Sequence, residues 1–121
     1  MLNPPQRYGR KSEDMAAAYL KKRGYAILQR NYRTRLGEID IIARDGQTTV
    51  FVEVKARKTD RAGSIKSSIT EIKKLKLTRL AQCYVKQSGL INAKLRFDVV
   101  VIRGEGESVE LIQNAFEAVL R

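Results

Sequence analysis

Two strand-forming runs joined by a short turn make the strongest pattern in this chain. Residues 38–43 and 48–57 are rich in apolar and β-branched residues, and the Asp45-Gly46 pair between them is typical of a β-hairpin. Charged residues interrupt both runs, although a strand that only packs in a core has no use for them. The hairpin is therefore predicted to carry a site as well as to supply a core.

The other periodic segments predict one α/β domain, a mixed β-sheet flanked by helices. The predicted elements are a helix over 12–23 that Ser12 caps and Gly24 ends, a strand over 25–32, the hairpin, a loop over 58–68, a helix over 69–87, a strand over 95–102, a short strand over 108–112, and a last helix over 115–120 that Asn114 caps. The first three strands should be antiparallel, and the long helix has the length of a right-handed crossover.

The first ten residues are polar and hold two prolines, so they are expected to be loosely ordered. Neither a signal peptide nor a membrane anchor is expected there. No apolar run approaches the roughly 18 residues of a membrane span. The protein is accordingly expected to be soluble and cytoplasmic.

The register of the hairpin determines where its charged side chains point. Side chains alternate along a strand, so Glu53 and Lys55 are neighbours on one face, about 7 Å apart along the backbone. If Asp45 and Gly46 form a two-residue loop, Glu38 lies opposite Glu53 and Asp40 lies diagonal to it. All four side chains then converge on one side, and a one-residue change in loop length would undo this convergence.

Composition limits the chemistry of such a site. The 121 residues include 24 Lys and Arg against 13 Asp and Glu, a net charge of +11 that favours a polyanionic partner such as nucleic acid. The other interpretation is a basic surface that is merely solvated. Histidine is absent and Cys83 is the only cysteine, which excludes imidazole catalysis and a zinc site built on cysteines.

Clustered carboxylates favour a divalent cation at the hairpin. Carboxylates that share a site repel each other, which raises their pKa values unless a cation lies among them. One lysine offsets part of this charge, and Mg²⁺ or Mn²⁺ would offset the rest. Such a metal suits phosphodiester hydrolysis, and a nearby lysine can orient the attacking water or stabilise the transition state. The alternative is a surface with ordinary cross-strand charge pairs.

The same residues resemble a known superfamily. Asp40, followed thirteen positions later by Glu53-Val54-Lys55, resembles the D…(D/E)-x-K core of the PD-(D/E)XK nucleases, although Ile39 replaces the proline that names the motif. The chain is more closely similar to the YraN-like family of small bacterial proteins, regarded as endonucleases similar to archaeal Holliday-junction resolvases. The matching segments are Glu13 with Ala16, Tyr19-Leu20, Gly24-Tyr25, Asn31, Gly37 to Asp40, Phe51 to Lys55 with Arg57, Lys73, and Arg96 to Val100.

The resemblance implies a restriction-endonuclease-like fold and a role for each matching residue. Asp40 and Glu53 would be metal ligands, and the Val54 carbonyl would be a further ligand. Lys55 would be the catalytic lysine, and Glu13 the helix carboxylate that reaches the metal. The implied activity is a Mg²⁺- or Mn²⁺-dependent cleavage of DNA that leaves a 5′-phosphate, with branched DNA such as Holliday junctions as substrate. A homodimer is expected by analogy with resolvases.

Other charged residues have two interpretations. Glu13 suits the positive end of a helix and could be an ordinary surface carboxylate. Two lysines continue the apolar stripe of the second helix and could extend past the edge of the core, or could contact phosphates. Glu38 would support the ligands or be an outer ligand. The residues expected to bind the nucleic-acid backbone are Arg57, Arg61, Lys66, Lys73 and Lys76.

Three functions are consistent with the sequence. The first is a metal-dependent DNA endonuclease. The second is a nucleic-acid-binding protein that retains the nuclease fold without cutting, and the third is an assembly partner in a ribonucleoprotein. Acidic residues in a nucleic-acid-binding face repel phosphate unless a metal bridges them, so the hairpin favours the endonuclease.

Overall fold

The computed structural model describes residues 4–57 and 68–119. Its elements are the helix α1 (Pro4–Lys22), the strands β1 (Ala26–Thr34), β2 (Gly37–Asp45) and β3 (Thr48–Arg57), the helix α2 (Glu71–Ser88), and the strands β4 (Lys94–Arg103) and β5 (Ser108–Phe116). The strands form one sheet in the order β1-β2-β3-β4-β5. Only β3 and β4 pair in parallel, and the other neighbours are antiparallel. This is the predicted α/β, restriction-endonuclease-like architecture.

The sheet lies between the two helices, and each of its faces has a core of its own. Alternate residues of β3 show the division, since Val50 and Val52 pack under α1 whereas Phe51 packs under α2. Leu20 of α1 and Leu80 of α2 are almost completely buried against these faces. Burial on both faces explains why the central strands have nearly continuous apolar runs.

The helix α2 is the crossover that joins the two parallel strands. Thr70 is its N-cap, and the Thr70 side chain accepts a hydrogen bond from the N–H of Lys73 at 3.1 Å. Gly89 ends the helix in a left-handed conformation with φ of 66°. The predicted helix over 69–87 is thus confirmed to within two residues. In the described part of the chain, neither helix is long and apolar enough to cross a membrane.

The amino-terminal helix is longer than predicted. It begins at Pro4, whose fixed φ suits the first turn, so residues 4–10 are helical and not loosely ordered. Ser12 lies inside α1 and is buried, so it does not cap the helix. The predicted loop over 58–68 lies outside the described residues, except for Ser68.

The carboxyl-terminal end also differs from the prediction. The last strand, β5, continues to Phe116, and residues 117–119 are not helical, so the predicted helix over 115–120 is not present in the described part. Asn114 lies inside β5, where its N–H donates to the Asp98 carboxylate. Phe116 stacks on Phe97 with ring centroids 4.7 Å apart. These tertiary contacts outweigh the local preference of Asn114 for a helix cap.

A buried charge network joins β4 to the segment that follows α1. Asp98 is completely buried and accepts hydrogen bonds from Arg96 Nε and from the Tyr25 hydroxyl, both at 2.9 Å. The same Arg96 also pairs with Asp45 at the hairpin turn at 2.9 Å. The network therefore ties β4 and the segment after α1 to the turn between β2 and β3.

Replacing Asp98 with alanine should lower the free energy of unfolding by roughly 3–5 kcal/mol, because the Arg96 guanidinium would lose its buried partner. Urea denaturation followed by circular dichroism measures this loss. Glu110→Ala is the control, since Glu110 forms an exposed ion pair with Arg103 and should cost less than about 1 kcal/mol. Equal losses in the two variants would contradict a structural role for the buried network.

Candidate metal centre

The loop of the β2–β3 hairpin is one position later than expected. Asp45 pairs with Thr48, so the loop residues are Gly46 and Gln47. Gly46 has φ of 61°, a left-handed conformation that glycine adopts without strain at the first position of such loops. The register differs from the predicted one by two residues. Because side chains alternate with a period of two, the paired residues keep their predicted faces.

The strands β2 and β3 separate at Asp40. Their last pair is Ile41 with Val52. Beyond it, the N–H of Val54 donates to Asp40 Oδ2 at 2.8 Å, so a carboxylate replaces the main-chain acceptor. Asp40 is thereby held between the two strands at the point where they part.

Side-chain alternation reverses beside Asp40. Ile41 packs under α1, whereas Ile39, two positions earlier, packs under α2. Regular alternation would have placed both under the same helix. In β1, Arg30 pairs with Ile41 and Tyr32 pairs with Ile39; Asn31 lies between them and has a left-handed backbone with φ of 55°. The predicted assignment of side chains to the two faces of the sheet therefore holds up to Asp40 but not for Glu38.

Three carboxylates meet at this point, one from α1 and two from β2. Glu13, Glu38 and Asp40 each offer an oxygen, and these oxygens lie within 4.8 Å of one another. We call these three residues the carboxylate cluster. In the described ranges, no other group of three acidic or cysteine side chains is as close. Side-chain alternation had predicted Glu38 opposite Glu53. In the structure, Glu38 lies with Glu13 and Asp40 instead.

Glu53 lies next to two lysines. Lys55 Nζ is 3.8 Å from Glu53 Oε1, and Lys73 Nζ, from α2, is 3.6 Å from the same oxygen. The side chains of Glu53 and Lys55 are only 11% and 19% exposed. The pair is therefore not an ordinary solvated surface pair. Lys73 does not simply extend into solvent either, because it shares this carboxylate.

Burial among other acidic groups raises the pKa of Asp40 to about 7. Burial is the main cause, and repulsion from Glu53 is the next. The hydrogen bond from Val54 opposes the shift, while Glu13 and Glu38 add to it. The charge of the Asp40 carboxyl group therefore changes near neutral pH.

The pKa of Glu13 is raised as well, first by burial and then by the charge of Glu38. Arg30 and Asn31 oppose this shift. Arg30 Nη2 lies 3.8 Å from Glu13 Oε1 but is closer to Asp14, at 2.7 Å. Glu13 is therefore part of the carboxylate cluster and not a freely solvated residue of the helix.

The predicted DNA-binding residues are only partly described. Arg57 ends β3, and its guanidinium donates to the Ala56 carbonyl at 3.1 Å. Arg61 and Lys66 lie outside the described residues. A cleft of about 160 Å³ adjoins the carboxylate cluster, and its lining consists of Leu36, Gly37, Glu38, Lys73, Lys76, Leu77 and Leu80.

Comparison with known proteins gives the family. The sequence profile described as "Uncharacterised protein family UPF0102" matches residues 12–102. The chain belongs to the UPF0102 family. UPF0102 is the YraN family that the sequence resembles, and the matched span includes the carboxylate cluster and the Glu53–Lys55 pair.

Several curated UPF0102 proteins are similar over nearly their whole length. The UPF0102 protein of Desulfosudis oleivorans is 56% identical over 118 residues, which cover 98% of this chain and 96% of that relative. The one from Syntrophus aciditrophicus is 47% identical over 113 residues, with 92% and 89% covered. The one from Desulforapulum autotrophicum is 43% identical over 119 residues, with 97% and 98% covered.

The raised pKa of Asp40 should make the stability of this UPF0102 protein depend on pH. The folded pKa of about 7 lies above the ordinary value of 3.8, so the folded state retains a proton that the unfolded state loses. This contribution to stability is complete below pH 3.8 and is lost as the pH rises through 7. Asp40→Asn should therefore stabilise the protein at pH 8 by roughly 1–3 kcal/mol, with a smaller gain toward acidic pH.

Urea unfolding in EDTA across this pH range measures the effect. Glu105→Gln is a suitable control, because Glu105 is exposed in the turn between β4 and β5. Its substitution should produce no gain that grows with pH. If Asp40→Asn raised the free energy of unfolding equally at acidic and alkaline pH, the titration of Asp40 would not be the source of the pH dependence.

Proposed function

We propose that this UPF0102 protein is a Mg²⁺- or Mn²⁺-dependent endonuclease that hydrolyses DNA phosphodiester bonds. The observation that carries the proposal is the position of Asp40, which belongs to the carboxylate cluster and is also repelled by Glu53 of the Glu53–Lys55 pair. The resemblance of Asp40, Glu53 and Lys55 to the superfamily motif supports the same chemistry, and so does the restriction-endonuclease-like fold.

The residues present fit a hard divalent cation. All side-chain donors of the carboxylate cluster are oxygens, the ligands that Mg²⁺ and Mn²⁺ prefer, and the chain contains no histidine. Burial raises the pKa of Asp40 to about 7, and repulsion from Glu53, Glu13 and Glu38 adds to the shift. A bound divalent cation would supply the missing positive charge.

Each group around Asp40 would have a different role in hydrolysis. Glu13, Glu38 and Asp40 would hold the cation, with Glu53 beside them. When bound, the cation would polarise a phosphoryl oxygen and lower the pKa of a water molecule. The Lys55 ammonium group carries N–H donors that would orient the attacking water or stabilise charge on the phosphate. Glu53 would fix the position of Lys55 through their ion pair.

The basic cleft beside the carboxylate cluster supports DNA as the substrate. Lys73 and Lys76 line it from α2, and Glu38 lines it from β2. A phosphate held by these lysines would lie next to the carboxylates, which would repel it in the absence of a cation. The net charge of +11 would add long-range attraction for a polyanion. Branched DNA is the substrate that the resemblance to resolvases favours.

Purified protein should cleave a four-way junction or linear DNA in Mg²⁺ or Mn²⁺ but not in EDTA. Asp40→Asn and Lys55→Ala should each lower the cleavage rate about 100-fold or more, because each removes a group that acts on the transition state. Lys94→Ala is the matched control, since Lys94 is exposed and pairs with Thr48 at the opposite end of β3. Labelled DNA on denaturing gels gives the rates.

Cleavage that persists in EDTA, or in both site variants, would eliminate the metal mechanism. Binding to DNA without cleavage by the wild-type protein under all metal conditions would instead favour a binding protein that retains the nuclease fold. These outcomes separate the two principal hypotheses.

Contact between Lys76 and a DNA phosphate should be visible in the salt dependence of binding. Each phosphate contact on duplex DNA contributes about 0.9 to the slope of log affinity against log salt concentration. Lys76→Ala should reduce the slope by about this amount in fluorescence anisotropy titrations, made in Ca²⁺ to limit cleavage. Lys86→Ala, exposed near the other end of α2, should leave the slope unchanged. A slope that Lys76→Ala does not change would show that Lys76 is only solvated.

A further inference from the structure

Asn31 has a backbone conformation that its own strand does not require. It lies in β1 between the residues that pair with Ile41 and Ile39 of β2, with φ of 55°. Few non-glycine residues adopt this left-handed conformation, and asparagine tolerates it better than most. The residue is exposed and belongs to neither core of the sheet. Packing therefore does not explain why an asparagine occupies this position.

The side chain of Asn31 lies between two carboxylates. With its nitrogen oriented toward them, the amide donates to Glu13 Oε1 at 3.0 Å and to Glu38 Oε1 at 2.6 Å. The opposite orientation would place the amide oxygen against two acceptors, which would be unfavourable. An amide nitrogen carries two hydrogens, so it can make both bonds at once.

A neutral donor has an advantage over a cation in this position. A lysine or arginine between Glu13 and Glu38 would hold both carboxylates, but it would also neutralise them and compete with a metal ion. The amide of Asn31 holds them while leaving their charge in place. Arg30 makes its shorter bond to Asp14, and Arg33, which bonds to Glu38, is 74% exposed. Neither arginine bridges the two carboxylates.

We propose that Asn31 is a positioning residue of the metal centre, whose amide bridges Glu13 and Glu38 and holds both carboxylates toward Asp40 for a divalent cation. This inference rests on the proposed metal-dependent function. Asn31 itself does not need to contact the cation. Its left-handed backbone allows the amide to reach across from β1 to both carboxylates.

The test measures metal affinity in the absence of DNA. Asn31→Gly removes the amide and keeps the left-handed backbone accessible without strain. Asn92→Gly is the matched control, because Asn92 has a nearly identical φ of 54° and is exposed between α2 and β4. In isothermal titration with Mn²⁺, Asn31→Gly should bind roughly 10- to 100-fold more weakly than wild type, the usual effect of removing a residue that orients metal ligands. Asn92→Gly should bind as wild type does.

The outcomes distinguish this inference from the proposed function. If wild type and Asn31→Gly bind Mn²⁺ equally well, the positioning role is overturned while the metal centre stands. If wild type binds no Mn²⁺, the metal-dependent function fails, and the positioning role fails with it. Thermal unfolding in EDTA verifies that both glycine variants remain folded.

A second measurement tests the bridge without metal or catalysis. In nuclear magnetic resonance spectra recorded in EDTA, the side-chain amide signals of Asn31 should shift in both Glu13→Ala and Glu38→Ala, because each variant removes one acceptor. The side-chain amide of Asn92 should be unaffected. An Asn31 signal that neither substitution moves would overturn the bridge directly.

Discussion

The structure around the carboxylate cluster depends on the burial of acidic groups close together at the point where β2 and β3 separate. Asp40 is fixed there by the N–H of Val54, with Glu53 on one side and the other two carboxylates on the other. Two lysines, Lys55 and Lys73, lie beside Glu53. Arg30 and Arg33 pair with Glu13 and Glu38, whereas the donor to Asp40 itself is the uncharged N–H of Val54.

Most of the fold could be predicted because local and tertiary preferences agree in its centre. The apolar runs of β3 and β4 are buried on both faces, and α2 has a threonine N-cap and a terminal glycine. The two ends of the chain were harder to predict. Ser12 and Asn114 both have the local character of helix caps, but Ser12 is buried inside α1, and Asn114 bonds to Asp98 within β5. Local sequence preferences do not predict such long-range contacts.

The candidate site was predictable to the extent that alternation holds. A two-residue error in register preserves side-chain faces, so the position of Glu53 beside Lys55 could be predicted from the sequence. The position of Glu38 could not, because alternation reverses between Ile41 and Ile39. The reversal coincides with a left-handed asparagine inside a strand, a feature that neither periodicity nor spacing indicates. Its only sequence signal is the tolerance of asparagine for that conformation.

The parallel pairing of β3 with β4 has a consequence for how the centre is assembled. All its carboxylates come from the amino-terminal half of the chain, yet the strand that carries Glu53 is completed on its other edge by residues 94–103. Parallel pairs join residues far apart in sequence and form slowly, because a long loop must close first. During synthesis, a nascent chain that ends before β4 would therefore contain Glu53 and the whole carboxylate cluster but lack the finished sheet that holds them together.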